Sequence, residues 1–339
     1  MTVRSVLGNR KVQIVLNGGF AAVLLVVMVV GGRKFAHSGF ALRHADPLLL
    51  TGATLLFLIA YAFKAWGWQR LFAETDRPGA SALAFAGGAA CVGGIALPGR
   101  LDDALRVACV KRYPGVRTSL GAVALSLVVL GLLDNAALAP LSAVAAVHAS
   151  TWTVRLGFAV VAGAGILAAA IVALLPTLAG RSFAARFRLG RWLAGHTHCN
   201  RRAVAALMFI SVSWALRGTA VFLLFDALSM RSSFPLALGF LCASAASAAL
   251  PIAPAGAATQ AGAGSAILIA SGVHAGDAIA FAVAAQVLVV GTGAIVMLLL
   301  TGWHFATRAH KSSHQRLGTK YRPSLFGLLP ARPVAATDT

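Results

Sequence analysis

Long apolar runs, each about the length of a membrane-crossing helix, dominate the pattern of hydrophobic and polar positions. They cover 12–30, 48–68, 116–141, 156–178, 203–225 and 278–301. A helix that crosses a bilayer needs about 20 mostly apolar residues, so the pattern predicts six spans. Two further apolar pieces, 80–97 and 234–250, end abruptly in Leu97-Pro98-Gly99 and Leu250-Pro251-Ile252-Ala253-Pro254. Proline removes a backbone donor and clashes with the preceding turn, so each piece must stop there. The segments that follow, Leu101–Arg112 and 261–272, are short. At about 1.5 Å per residue neither bridges the ~30 Å hydrocarbon layer.

The same plan therefore occurs twice: spans, a broken hairpin, then another long span. Ala96-Leu97-Pro98 recurs as Ala249-Leu250-Pro251, 153 residues later, and each short segment after it stops at a Gly-Val pair, Gly115-Val116 or Gly272-Val273. The expected fold is an all-α polytopic membrane protein, an inverted repeat of two halves with about six full spans plus two re-entrant or broken helical hairpins. Its expected divisions are a cytoplasmic N-terminal tail at 1–11 and a transmembrane domain at 12–302, with pseudo-repeats at 12–141 and 155–302. A basic cytoplasmic tail at 303–339 follows, expected to be largely disordered.

Composition supports this class. The chain is 59% hydrophobic and only 11% charged, too little charge for a soluble surface. The net charge of +20 would suggest nucleic acid on a soluble chain. Here the Lys and Arg fall in loops and tails, which points to cytoplasmic retention and anionic lipid and away from nucleic acid. The arginine-rich stretch 180–202 and the tail mark the cytoplasmic side, whereas Ser142–Val154 carries no Lys or Arg and belongs outside. Both termini are then cytoplasmic, and the hairpins enter from opposite faces. A pair of Pro/Gly-interrupted segments in corresponding positions of two halves is the mark of a transporter's substrate site. High Ala and Arg with few Lys suggest a bacterial source and the cytoplasmic membrane.

Candidate site residues follow from that plan. Arg100, Asp102, Asp103 and Arg106 stand at or just past the first tip, where ionised groups at membrane depth are costly and usually functional. An arginine's planar fork suits a phosphate, and Asp103 can hold Arg106 in place from three residues away. An interfacial helix with solvated charges is the plainer reading of the same residues. Asp134, placed near the outer end of its span, and Arg217 are expected to pair; a plain inter-helix pair or a snorkelling Arg explains them equally well. Lys64 and Asp226 are read as span ends, and Trp66 and Trp68 as interfacial anchors. Pro98 shapes the first tip, while Pro251, Pro254, Gly256, Thr259 and Gln260 would line the second. There, carbonyls and a helix N-terminus can receive an anion without a charged side chain, although Gly262-Ala263-Gly264 also suits close helix packing. His196-x-His198-Cys199 lacks a fourth ligand nearby, so no metal and no other cofactor is expected.

The run from Leu97 to Asn135 resembles the lysylphosphatidylglycerol synthase transmembrane region, also described as the flippase-like domain family. The family's Leu-Pro-x-Arg-x-Gly-Glu motif, its following Arg and a later Asp fall on Leu97, Pro98, Arg100, Asp103 in the Glu place, Arg106 and Asp134. Its second motif, of Leu-Pro-Ile-Ser-Pro-Gly-Gly type, resembles Leu250–Gly256. The chain departs from the pattern at Asp102, where Gly is usual, at Leu130-Gly131 in place of Glu-Arg, and at Gln260-Ala261 in place of Arg-Glu. The resemblance implies binding and translocation of an anionic phospholipid or lipid-linked amphiphile. The alternative is a membrane enzyme or accessory subunit acting on lipid-linked sugars in envelope biosynthesis. No synthetase domain is appended, so lipid aminoacylation is not implied. Membrane lipids are the expected partners, with a homo-oligomer or an envelope-biosynthesis protein as further candidates, and no catalytic residue is assigned.

Overall fold

The computed structural model describes residues 42, 45–94, 101–179, 200–230, 233–248 and 256–320. Among the described residues the secondary structure is helical throughout: α1 Pro47–Gln69, α2 Ala80–Gly93, α3 Leu101–Arg112, α4 Leu120–Val147, α5 Trp152–Ala179, α6 Asn200–Ala227, α7 Phe234–Ala248, α8 Gly256–Ala270 and α9 Ala275–Lys320. A single 3₁₀ turn, Glu74–Asp76, lies between α1 and α2. The chain divides into two compact units, 1–297 and 298–339, and the last part of α9 belongs to the second.

Five of these helices, α1, α4, α5, α6 and α9, are long and apolar enough to cross a membrane. They coincide with five of the six expected spans; the sixth, 12–30, lies outside the described residues, as do 180–199 and the tail beyond Lys320. The protein is a polytopic helical membrane protein. Apolar faces turned to lipid do not drive helices together, so packing rests on small residues and interhelical hydrogen bonds. Ser213 Oγ donates to the Ala60 carbonyl across α6 and α1 at 2.8 Å. Ser142 Oγ does the same to Phe158 across α4 and α5, also at 2.8 Å. Gly88 lets α2 cross α9 so closely that a Cβ there would meet the Gly293 carbonyl oxygen at 2.6 Å.

Chain ends fix how the helices run. Asp46 caps α1 by accepting from Leu48 and Leu49, and its own N–H donates to Ala227 at the end of α6. At the other end of α1, Gly67 packs on Ala206 and Ile210 near the start of α6. These helices are antiparallel. Trp68 Nε1 donates to Ser126 Oγ near the start of α4 at 2.8 Å, so α4 also runs opposite to α1. The hairpin α2/α3 therefore leaves from one end of the bundle and returns to it. At the opposite end, Phe225 of α6 stacks on Phe281 of α9 at 3.7 Å, so α7/α8 leaves and returns there.

Within the second hairpin, Phe234 faces Phe222 and Leu238 faces Gly218 of α6. Carried on, this register brings Ser244 level with Val212, near the middle of α6. Ser244 Oγ donates to the Gln260 carbonyl at 3.0 Å, closing α7 onto α8. Both hairpins end as expected from their Gly-Val pairs. Gly115 has φ +84° and Gly272 φ +90°, the left-handed region that glycine enters without steric cost. After α8, Val273 N donates to Leu268 O and Gly272 N to Ile269 O, the paired bonds of a Schellman cap.

Four expectations need correction. Helix α4 does not stop at Leu141: Pro140 sits inside it and the helix continues to Val147, because neighbouring helices can tolerate one lost backbone bond at membrane depth. Asp134 is consequently near the middle of its helix, not its outer end. Helix α8 starts at Gly256, not Ala261, since the first four N–H groups of any helix lack partners and Pro254 upstream costs it nothing. Helix α9 continues to Lys320; adding residues to an existing helix avoids the nucleation cost. Trp68 is a core residue, 3% exposed, while Trp66 is exposed as an anchor would be.

Candidate functional site

The charged residues of the apolar helices converge at the middle of the bundle. Helix α1 supplies Tyr61 and Lys64, one turn apart on one face. Helix α4 supplies Asp134, 14 residues and about 21 Å into its length. Helix α6 supplies Trp214 and Arg217, again three apart. Lys64 Nζ donates to Asp134 Oδ2 at 2.8 Å, and Trp214 Nε1 donates to Asp134 Oδ1 at 2.8 Å. One carboxylate thus joins three helices with both oxygens engaged.

Arg217 is held differently. Its guanidinium lies 5.4 Å from the centre of the Tyr61 ring and 5.1 Å from that of Trp214, within range of the ring quadrupoles. Lys64 Nζ also lies 5.5 Å from the centre of the Trp214 ring. The Nε of Arg217 is buried with no hydrogen-bond partner, and among the described residues no carboxylate comes within ion-pair distance of it. A buried, desolvated donor left unsatisfied costs about 1–3 kcal/mol.

The first hairpin reaches this depth. Cys91, two residues from the end of α2 at Gly93, packs against Gly293 together with the Tyr61 hydroxyl, and its thiol approaches the Val289 carbonyl at 3.6 Å. On the returning arm, Arg106 donates to Asp103 at 2.7 Å and meets Asp102 at 3.3 Å. The fork is thus fixed by two carboxylates on its own helix. Arg100 and Pro98, next to this hairpin's tip, lie outside the described residues.

The pairing expected between Asp134 and Arg217 does not form. Asp134 takes Lys64 and Trp214, and Lys64, read as a span end, is a member of the site. The reason is register. With α1 antiparallel to α4, Lys64 comes level with Asp134, whereas Arg217 is one turn further along α6 than Trp214. Asp226 stands at the end of α6, as expected. Pro251 and Pro254 are outside the described residues. Gly256, Thr259 and Gln260 occupy the first turns of α8, and Gln260 is engaged through its backbone carbonyl. Tyr61, Lys64 and Trp214 were missed. The available signal was arithmetic: Lys64 is the one cation inside the apolar run of α1, and an intramembrane Asp needs a partner.

Long apolar helices with two short-helix hairpins at opposite ends of the bundle, and a charge cluster around Asp134 midway along α4, define a polytopic helical membrane protein. The sequence model of the family described as the lysylphosphatidylglycerol synthase TM region matches residues 14–302, and the chain belongs to that family. No curated protein and no solved structure matches the chain.

Proposed function

We propose that the protein binds an anionic phospholipid or lipid-linked amphiphile by its phosphate and moves it between the leaflets of the cell membrane. The observation that carries this reading is Arg217: a guanidinium midway along α6, stacked on two rings and free of any carboxylate among the described residues, with Lys64 near the same Trp214 ring. A phosphate oxyanion would complete it, since guanidinium and phosphate match in geometry and charge. The opposed hairpins support a route from each face, and we read the two halves as inverted copies on the strength of that opposition and the two left-handed glycines. Acyl chains would stay in lipid while the head group passes the tips. Driving force would come from a gradient or from consumption of the lipid on the far side.

The charge distribution supports cytoplasmic termini and a cytoplasmic-membrane location. An enzyme acting on lipid-linked sugars ranks lower, because the close acidic pair, Asp102 and Asp103, is occupied by Arg106. The test is lipid exchange in proteoliposomes carrying a headgroup-labelled anionic phospholipid. Arg217→Gln and Arg106→Gln are expected to slow exchange at least tenfold, a loss of about 1.4 kcal/mol of transition-state stabilisation. Exchange at the wild-type rate in both variants would sink the reading.

A further inference from the structure

We propose that Asp134 is a built-in stand-in for the ligand's oxyanion, and that binding works by exchange. The incoming phosphate oxygen takes the place of the carboxylate on Lys64, with Arg217 as its second contact. This rests on the reading of the site as one for phosphate, and adds how that site is kept closed and how it opens.

Three observations carry it. First, the Lys64–Asp134 pair is short, at 2.8 Å, and each side chain is 20% exposed, so the pair is reachable and not sealed in a core. Second, Asp134 has a second bond that does not involve Lys64: Trp214 Nε1 at 2.8 Å. On losing Lys64 the carboxylate keeps one charge-assisted partner and need not leave the bundle. Third, Arg217 and Lys64 lie within 5.1 and 5.5 Å of the centre of the same Trp214 ring, so both cations belong to the surroundings of the Trp214–Asp134 pair. A carboxylate already placed between Lys64 and Trp214 competes for that space and charge.

The exchange also changes what ties the bundle together. Lys64–Asp134 links α1 to α4, whereas Trp214–Asp134 links α6 to α4. When a phosphate takes Lys64, one of the two polar links between α1 and α4 among the described residues opens, while Trp68–Ser126 and the α6–α4 link remain. Helices α1 and α4 flank the first hairpin in the chain, so ligand binding loosens one tie of the frame in which that hairpin sits. A ligand can shift such an equilibrium only through contacts it makes in one state and not the other, and Lys64 supplies that difference. In this role Asp134 positions Lys64 and sets specificity for oxyanions; it does not itself touch the ligand.

The experiment is equilibrium binding of short-chain phosphatidylglycerol to the purified full chain in detergent, with short-chain phosphatidylcholine and inorganic phosphate as parallel arms. Asp134→Asn removes the competing charge but keeps an acceptor for Trp214 and nearly the same volume. It should bind the phosphatidylglycerol probe about tenfold more tightly than wild type, while exchanging lipid more slowly in proteoliposomes. Asp134→Glu should restore wild-type affinity. Lys64→Gln should bind about tenfold more weakly, and adding Asp134→Asn to it should bring no gain. A carboxylate that merely tethers helices predicts the opposite sign, with Asp134→Asn binding equally or more weakly, and that result overturns the proposal. Should Asp134→Asn not yield monodisperse protein, Asp134→Ser carries the same prediction.

The arms separate the two ideas. If neither wild type nor Asp134→Asn binds any phosphate probe, the functional reading itself fails. If wild type binds phosphatidylglycerol and Asp134→Asn is not tighter, only the exchange fails. Tightening by Asp134→Asn toward inorganic phosphate as strongly as toward phosphatidylglycerol keeps the exchange and assigns it to a soluble anion. Tightening confined to the lipid probe assigns it to the head group.

Discussion

Arg217 shows how a cation can be kept in an apolar bundle with no counter-ion among the described residues. Stacking against Tyr61 and Trp214 repays part of its desolvation, because the ring faces are negative. Lysine at this position would keep the charge but lose the planar fork and most of the stacking. Arg217→Lys is therefore expected to lose lipid exchange nearly as fully as Arg217→Gln, with a melting temperature close to wild type; recovery of full exchange by lysine would show that charge alone suffices. Lys64 and Asp134 behave as a unit. Lys64→Gln should destabilise the protein by about 2–3 kcal/mol, below the full cost of breaking a sealed pair, because a fifth of each side chain is exposed. Adding Asp134→Asn should return much of that loss. Thermal unfolding of the two single variants and the double variant measures this coupling. Sequence patterning exposed Asp134 and Arg217 as unusual residues, since few charges interrupt apolar runs. Their partners stayed hidden because pairing depends on the depth at which neighbouring helices align, and nothing local to residue 64 or residue 214 encodes that alignment.

Elements end where backbone chemistry forces them to, and this part of the fold was largely readable. The two short-helix hairpins were expected from the apolar pieces before Pro98 and Pro251; both prolines lie outside the described residues, and α2 already ends at Gly93. The two Gly-Val pairs announced the ends of their second arms, and Gly115 and Gly272 do adopt positive φ. Any side chain at these positions meets its own carbonyl in the left-handed conformation, at about 1–2 kcal/mol. Gly272→Ala, with open space around the missing Cβ, should lower stability by about that amount and no more, which denaturation of the purified protein would register. Gly88 differs in kind. Its backbone faces the Gly293 carbonyl across α2 and α9, so Gly88→Leu must push the helices apart. The expected result is loss of folded protein in detergent or a shift in the position of Cys91 large enough to change its labelling rate. Helix α4 passes through Pro140, beyond the expected end of its span at Leu141. A proline in a soluble helix usually ends it, but within a packed bundle the freed carbonyl can be tolerated, and α4 continues past it.

At the scale of the whole bundle, antiparallel contacts decide the topology that charge counting only suggested. Trp68 sits on Ser126 and Thr118 Oγ donates to the Asp76 carbonyl at 2.6 Å, so the chain before α2 and the chain after α3 share one end. Glu74 also meets Arg202 at the start of α6 at 2.8 Å; exposed as it is, that pair contributes little energy, but it puts a third connection at the same end. Phe225 against Phe281 gathers the flanks of the second hairpin at the other. A hairpin that spanned the membrane twice would also begin and end on one side, so the discriminating feature is length. Helices α2, α7 and α8 have 14, 15 and 15 residues, or roughly 21–23 Å at about 1.5 Å each, short of the ~30 Å apolar layer. Single cysteines at exposed connections, in a background with the native cysteines replaced, test both points. Thr75→Cys and Arg117→Cys should react with a membrane-impermeant maleimide from one side only, and Ser150→Cys, Ser233→Cys and His274→Cys from the other. A cysteine at Ala104, exposed on α3, should react slowly from the Thr75 side and not at all from the far side. Labelling of Ala104→Cys from the Ser233 side would make the first hairpin a true span.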